Sequence, residues 1–180
     1  MAFNVNEFRS ILTGDGARPN LFNVTLTFPT FVSGGGVAGF KTTFMAKTAQ
    51  LPGSTVGIVP VYYFGRELKF AGNRTFADWT INIINDEDFA IRNALESWSN
   101  SINSHFSNLR DPSALSPFSY TVDAQVTQLG KTGDALKQYN FVGMYPVDIA
   151  PIDLDWGSND TIEEYSVTFA YQYWESDTTS

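Results

Sequence analysis

The sequence has no cysteine and only one histidine among 180 residues, and this composition argues against several kinds of site. Without cysteine there is no disulfide framework, no thiolate metal ligand and no cysteine nucleophile. Metal centres and catalytic triads usually need further partners, and His105 stands alone. We therefore predict a protein without a metal or a cofactor, and the missing cysteines fit a reducing compartment.

Long apolar runs and clusters of basic residues are absent as well. No run approaches the roughly 18 residues that a membrane helix needs, and the N-terminus lacks the basic and apolar regions of a signal peptide. Eleven basic residues are scattered among nineteen acidic ones, which gives a net charge of −8. Because a grip on phosphates needs clustered lysine and arginine, we predict a soluble protein that neither inserts into a membrane nor binds nucleic acid tightly.

Aromatic residues, in contrast, are abundant, at 15% of the chain. They favour strands and large packed interfaces. Several segments alternate between apolar and polar side chains, as half-buried strands do: 20–28, 76–84, 120–130, 134–143 and 161–175. Two further strands are predicted over 40–49 and 144–156. We predict a mainly β fold, an antiparallel β barrel or sandwich, in a single domain over residues 1–180.

The remaining segments define an arm, a hairpin, a helix and a tail. The N-terminal arm, residues 1–18, carries a short helical pattern that ends at glycines and a proline. Residues 47–75 are broken by proline and glycine, which predicts an extended loop or hairpin. Asn85 is expected to cap one flanking helix over 86–106, with carboxylates in its first turn. Residues 174–180 form a C-terminal tail.

Two stretches look like ligand-binding motifs but lack the required context. Residues 34–39 fit G-x-G-x-x-G, yet the pattern after them predicts a strand rather than the helix that a dinucleotide site needs. Residues 153–160 resemble a calcium loop without its glycine and its closing glutamate. The carboxylates of 86–88 have a structural role at the helix start. We therefore predict a flexible loop at 34–39 and no enzymatic activity.

Five blocks resemble the tail tube protein of contractile-tailed bacteriophages. They are ARPNLFNV (17–24), KTAQLPG (47–53), AGNRTFADWTINIINDED (71–88), YNFVGMYPVDIAPIDLDWGSND (139–160) and EEYSVTFAYQYWE (163–175). The blocks occur in the family's order and cover most of the chain. The glycine-rich segment and residues 99–117 depart from the pattern, which affects local loop contacts.

The resemblance implies a structural virion protein, made in the host bacterial cytoplasm and built into a phage tail. Its fold would be shared with the tube proteins of type VI secretion systems. It implies homo-hexameric rings that stack into a tube inside a contractile sheath, with a baseplate and a tail terminator as further partners. Genomic DNA would pass through the lumen without specific binding. Each subunit would add strands to one inner barrel, and the extended hairpin would reach neighbouring subunits.

The alternation also indicates which side chains would face such a lumen. Polar side chains of the hairpin over 120–143 would offer phosphates only uncharged or negative groups; these are Thr121, Asp123, Gln125, Thr127, Gln138 and Asn140. Six subunits giving four strands each would form a barrel of about 24 strands with a backbone diameter of about 45–50 Å. A DNA duplex would pass through that opening.

Contacts between subunits are expected along the hairpin, including the arginine near its end. The candidates are Pro52, Tyr62, Tyr63, Arg66 and Arg74. Spacing alone leaves open whether Arg74 pairs with Asp78. Two other functions fit the sequence: a tube of a contractile injection or type VI-like system that carries protein effectors, and a carbohydrate-binding β sandwich with exposed aromatic residues. Hollow rings of purified protein would separate the tubes from the sandwich.

Overall fold

The computed structural model describes residues 4–179, and β-strands dominate it. The strands are β1 Phe22–Leu26, β2 Ala46–Thr48, β3 Thr55–Tyr63, β4 Arg66–Thr75, β5 Trp79–Ile84, β6 Val122–Leu129, β7 Ala135–Ile149, β8 Glu164–Ala170 and β9 Tyr173–Ser176. The α-helices are α1 Val5–Ile11, α2 Gly35–Met45, α3 Ala90–Ile102 and α4 Pro117–Tyr120. The prediction of a mainly β fold is confirmed.

One long strand, β7, joins two sheet layers. Its first part pairs with β6 on one side and β9 on the other, and its last residues pair with β8. The layers are therefore β1-β6-β7-β9 and β2-β5-β8-β7, antiparallel throughout, within a single seven-stranded sheet. Because the layers share a strand, the sheet curves into a nearly closed barrel, as predicted.

The core lies inside this curve and follows the alternation seen in the sequence. Val24 and Leu26 of β1, and the three apolar residues Trp79, Ile81 and Ile83 of β5, are buried. Their partners come from the other strands and from α3: Val126, Phe141, Val167, Phe169, Leu95 and Trp98. Period-2 alternation thus placed the apolar side chains of these strands correctly.

A second helix replaces the loop and strand expected over 34–45. α2 spans the glycine-rich segment and packs against β1 and α3, so both the loop at 34–39 and the strand over 40–45 are wrong. A Cβ at Gly39 would meet the Leu26 carbonyl oxygen at 2.7 Å, and one at Gly35 would meet Phe28 Cβ at 2.8 Å. The glycines therefore allow a helix to approach β1 closely, a reason that residue propensities do not show.

The flanking helix is shorter than predicted and is not capped by Asn85. α3 begins at Ala90 and ends at Ile102, so His105 lies beyond it. The Asn85 side chain instead donates to Glu163 at 2.8 Å. Asp86 and Asp88 precede the helix and both bind the Lys41 ammonium, which comes from α2.

In the last third of the chain, the strands also begin and end at different residues from those predicted. The predicted strand over 144–156 continues β7 only to Ile149, and the segment 150–163 has no helix or strand. The predicted strand over 161–175 splits into β8 and β9, because its two parts pair with different halves of β7. The tail at 174–180 accordingly begins as a strand. In the N-terminal arm, α1 is exposed along its whole length.

Candidate functional site: a polar sheet face and an unpaired hairpin

Polar side chains from four strands share one face of the layer β1-β6-β7-β9. Register places Thr25 opposite Gln125, Gln125 opposite Asn140, and Asn140 opposite Glu175, so one row crosses all four strands. A second row contains Asn23, Thr127 and Gln138. We call this surface the polar face; its members are Asn23, Thr25, Thr27, Asp123, Gln125, Thr127, Gln138, Asn140 and Glu175. Its charged members are both carboxylates.

Hydrogen bonds between neighbours hold the polar face in place. Gln125 Nε2 and Gln138 Nε2 donate to the same Asn140 oxygen, at 2.9 and 3.3 Å. Thr27 Oγ1 donates to the Asp123 carbonyl at 2.5 Å. These hydrogen bonds order the amides of Gln125, Gln138 and Asn140 and the hydroxyl of Thr27, and none of the nine side chains is a cation that would attract a phosphate.

Asp123 has a structural role within this face. Its Oδ1 accepts the N–H of Gly143 at 3.0 Å. Gly143 lies at an irregularity in the β6–β7 register and has a φ of 66°, a left-handed conformation that favours glycine. Thr121 lies just before β6, and its hydroxyl donates to the Pro117 carbonyl at 2.7 Å. The other five predicted lumen residues lie together on the polar face. The hydrogen bond to Pro117 keeps the Thr121 side chain next to α4 instead.

Sequence reasoning missed the contribution of the outer strands to this face. The alternation of β1 was visible, but nothing in the sequence indicates that Thr25 continues a row from Gln125. Glu175 was overlooked because its strand was read as continuous with β8. Both residues are assigned to the polar face only by the cross-strand register, which depends on long-range pairing.

Both outer strands of this layer have a free edge. Within residues 4–179, β1 pairs only with β6, and β9 pairs only with β7. The Leu129 N–H donates to the Leu21 carbonyl at 2.8 Å. Because backbone groups alternate in direction along a strand, those of residues 22, 24 and 26 point away from β6. Val24 and Leu26 are buried, and the Leu26 carbonyl lies against Gly39 of α2, so the edge of β1 is open to another strand only near Phe22.

The predicted hairpin over 47–75 is present, as β3 and β4. In the described chain these strands pair only with each other, and none of their residues is buried. The turn at Phe64 and Gly65 has two positive φ values, 48° and 80°, as a type I′ hairpin requires. A lone two-stranded hairpin is marginally stable in water. Its apolar side chains are nevertheless exposed, with Phe64 92% accessible.

Aromatic residues fix the base of the hairpin to the sheet. Trp79 Nε1 donates to the Gln50 carbonyl at 2.7 Å, and Trp174 Nε1 donates to the Gly53 carbonyl at 3.1 Å. The Phe76 ring packs edge-on against Trp174, with centroids 6.4 Å apart. The base is therefore rigid, while the two strands beyond it are free to bind elsewhere.

The five predicted contact residues all lie on or beside the hairpin. Tyr62 and Tyr63, 71% and 65% exposed, and Arg66 are next to the turn. Pro52 is half-buried in the base. Arg74 Nη1 donates to Ser54 Oγ at 2.7 Å and forms no ion pair with Asp78 among residues 4–179. Its guanidinium thus closes the base of the hairpin.

Other kinds of site are not formed by the described residues. Within 4–179, no three histidine, aspartate or glutamate side chains are grouped so as to hold a metal ion. In the same range, no helix has both the length and the apolar character needed to span a membrane.

Comparison with known proteins agrees with this geometry. A family model described as phage tail tube protein matches residues 17–177. The tail tube protein gp19 of Enterobacteria phage T4 is 33% identical over 168 residues, covering 93% of this chain and 96% of that protein. Among solved structures, the anti-feeding prophage cap superposes with a TM-score of 0.65 at 15% identity, over 92% of both chains. A sheath–tube complex of an extracellular contractile injection system gives 0.58 at 14% identity, over 98% and 99%.

Fold, polar face and hairpin together define a structural protein of contractile tails. The chain belongs to the phage tail tube protein family, as its resemblance predicted, and is therefore a component of the virion.

Proposed function

We propose that six copies of this chain close into a ring and that the rings stack into the inner tube of a phage tail. The two free edges of the layer β1-β6-β7-β9 carry this proposal. If the open part of the β1 edge in one copy pairs with β9 of the next, the four-stranded layers form one continuous barrel. The polar face then lines the inside of that barrel.

The lumen of this barrel suits the passage of DNA. About 24 strands at ordinary spacing and tilt give a backbone diameter of about 45–50 Å. The polar face has carboxylates at Asp123 and Glu175 and no lysine or arginine among its members. Negative and neutral side chains do not displace the counterions that surround the phosphates, so we expect the genome to move without being held.

The tube also needs partners at its outside and its ends. The structural relatives include a tube-terminating cap, a baseplate and a sheath–tube complex, which supports a sheath protein, a baseplate and a terminator as partners here. Those relatives are only 13–15% identical and share the fold alone. The T4 tube protein, at 33% identity, supports a phage tube rather than one that carries protein effectors.

Engineered cysteines test the ring, because the natural chain has none. We expect Glu175→Cys, combined in turn with Asn23→Cys, Thr25→Cys or Thr27→Cys, to cover the possible registers of a β1–β9 seam. At least one pair should form disulfides between copies in rings seen by negative-stain microscopy. The crosslinked bands should stop at the hexamer, since a closed ring has no further partner.

Each single cysteine variant is the control and should give no series beyond a dimer. Rings that form while all three pairs remain uncrosslinked would contradict the β1–β9 seam. Wild-type protein that forms neither rings nor tubes, even with a preformed baseplate as nucleus, would contradict the proposed function itself.

A further inference from the structure

The long strand β7 bends where it passes from one sheet layer to the other. Up to Val142 it pairs with β9, and from Tyr145 onwards it pairs with β8. Gly143, whose φ of 66° is left-handed, lies between these two parts. The returning chain is interrupted at the same level, because Tyr171 and Gln172 belong to neither β8 nor β9. The two segments therefore turn together, as one bent ribbon.

This bend leaves the outer edge of β9 free. The side of β8 that faces away from β7 is covered by β5, whose pairing runs from Ile84 to Trp79. On the other side of the bend, β9 pairs only with β7 among residues 4–179. This free edge is one of the two that the proposed ring joins. Because two strands pair only when their backbones lie alongside each other, about 4.8 Å apart, the bend determines whether the edge can meet another copy.

Asp123 holds the bend from the side of β6. The β6–β7 register shifts between Val122 and Ala124, so that Asp123 alone lies opposite Val142 and Gly143. Such a two-against-one arrangement is a β-bulge, which bends the longer strand. The carboxylate Oδ1 accepts the Gly143 N–H at 3.0 Å, and within the described chain this carboxylate forms no ion pair. The side chain therefore acts on the backbone of β7 rather than on a cation.

Gln172 holds the bend from the opposite side. Its N–H donates to the Val142 carbonyl at 3.0 Å. A Cβ added at Gly143 would lie 3.0 Å from Gln172 Cγ, so the Gln172 side chain packs directly over the glycine. Gln172 immediately precedes β9, which begins at Tyr173. Asp123 is thus connected to the start of β9 through Gly143 and Gln172.

We propose that Asp123 is a positioning residue for ring assembly, whose carboxylate fixes the bend at Gly143 so that the outer edge of β9 meets the next copy. This inference rests on the proposed ring and identifies what aligns one of its seam strands. When the acceptor is removed, the Gly143 N–H must bind water, and the bulge gains conformational freedom. Seam formation then has to order β9 as well as pair it, and this ordering costs conformational entropy.

Substitutions of Asp123 test this role, with rings and monomers quantified by sedimentation velocity. Asp123→Ala should lower the ratio of rings to monomers about tenfold, the order of effect of a hydrogen bond to a charged group. Asp123→Asn removes the charge but keeps an acceptor oxygen, so it should stay within about threefold of wild type. The control, Thr127→Ala, changes the same face of β6 opposite Gln138, away from the bend, and should assemble as wild type does.

Three outcomes of this comparison would contradict the proposal. Equal ring formation by Asp123→Ala and wild type would overturn it. An Asp123→Asn protein as defective as Asp123→Ala would do the same, since charge rather than the hydrogen bond would then control assembly. Wild-type protein without rings would contradict the proposed ring, and this inference with it.

Hydrogen exchange in the monomer gives a readout that does not depend on assembly. In Asp123→Ala, the amides of Gly143 and those that join β9 to β7 should exchange about tenfold faster. The amides of β5 and α3 should keep their wild-type rates. Unchanged exchange in β9 would overturn the proposal even if the variant assembles poorly. Equal acceleration in all elements would mean that Asp123 only stabilises the fold, which also excludes a positioning role.

Two glycines with positive φ allow a second test at the bend. Gly143→Ala places a methyl group against Gln172, whereas Gly133, with a φ of 88°, has nothing within 4 Å of an added Cβ. Both alanines carry the cost of a left-handed conformation, so the difference between the variants reports the contact with Gln172. Gly143→Ala should form about tenfold fewer rings than Gly133→Ala. Equal numbers of rings would show that the seam does not depend on the bend.

Discussion

Single glycines decide how closely α2 approaches the sheet. Gly35 and Gly39 face β1 and the residues after it, at distances that leave no room for a methyl group. Gly36, one position after Gly35, has nothing within 4 Å of an added Cβ. An added methyl group would therefore clash at Gly35 and Gly39 but not at Gly36, in the same helix.

This contrast gives the first prediction. Gly39→Ala should lower the free energy of unfolding by about 1–3 kcal/mol, because the Leu26 carbonyl cannot move away from the new methyl group. Gly36→Ala, the control, should be neutral or stabilise by up to about 1 kcal/mol through helix propensity. Urea titrations of both variants decide the question. A stable Gly39→Ala protein would show that α2 shifts along β1 at little cost.

Tyr165 is a buried residue whose acidity is changed by its surroundings. Burial raises the pKa of the Tyr165 phenol, and its hydroxyl lies inside without a hydrogen-bond partner among the described residues. Arg92 lies over the ring at 5.1 Å. Burial, with a smaller effect from Asp78, also raises the pKa of Tyr171.

The second prediction follows from these directions. In the unfolded chain tyrosine loses its proton near pH 10, whereas in the folded protein Tyr165 keeps it to higher pH, so stability should fall as the pH rises above about 10. Tyr165→Phe should reduce this fall. Tyr171, and Lys41, whose pKa is raised by its hydrogen bonds to Asp86 and Asp88, contribute to what remains. At pH 7 the variant should be as stable or about 1 kcal/mol more stable, because an unpaired hydroxyl is removed. A large loss at pH 7 would mean that the hydroxyl has a partner in the folded protein.

The hairpin contributes no buried residue to the folded domain through its strands β3 and β4. Its residues are exposed, and its strands pair only with each other within 4–179. Its base, in contrast, is tied to the sheet by the indoles of Trp79 and Trp174. The element is thus built as a rigidly mounted ribbon whose own surface remains available.

The third prediction separates the fold from assembly. Replacing residues 55–75 by a short Gly-Ser linker should change the Tm of the monomer by only a few degrees, since no core residue is lost. The same variant should form no tubes in negative-stain images. A shorter trim, removing only 62–67, should keep the base intact and still abolish stacking. Tubes of normal length from either variant would show that the hairpin is dispensable.

At the scale of the whole molecule, the distribution of charge disfavours binding to polyanions. The net charge of −8 and the carboxylates of the polar face oppose any lasting contact with DNA. Asp123 is a poor position for testing this, because its carboxylate also holds the Gly143 N–H. Thr25 is exposed and lies in the row that crosses the layer.

The fourth prediction uses that position. Thr25→Lys places one cation per subunit on the polar face, so phages carrying it should eject DNA more slowly, with the delay shrinking as salt is raised. Asn100→Lys, the same change on the exposed side of α3, should leave ejection unchanged. Fluorescence of DNA-binding dye during triggered ejection measures both. Equal rates for the two phages would place the polar face outside the lumen.

The sequence by itself determined which residues form most of the strands, the presence of a hairpin within residues 47–75, and the absence of cysteine chemistry. Those features depend on alternation, local backbone preference and composition, which act between near neighbours. Tertiary structure decided that a glycine-rich segment becomes α2, that Lys41 of α2 binds Asp86 and Asp88 just before α3 begins, and that Thr25 and Glu175 join one row. It also placed the base of the hairpin and the segment 150–163 at opposite ends of the layer β2-β5-β8-β7. These outcomes require contacts between residues far apart in the chain. Neither helix and strand propensity nor the spacing of apolar residues shows which distant segments will pack together.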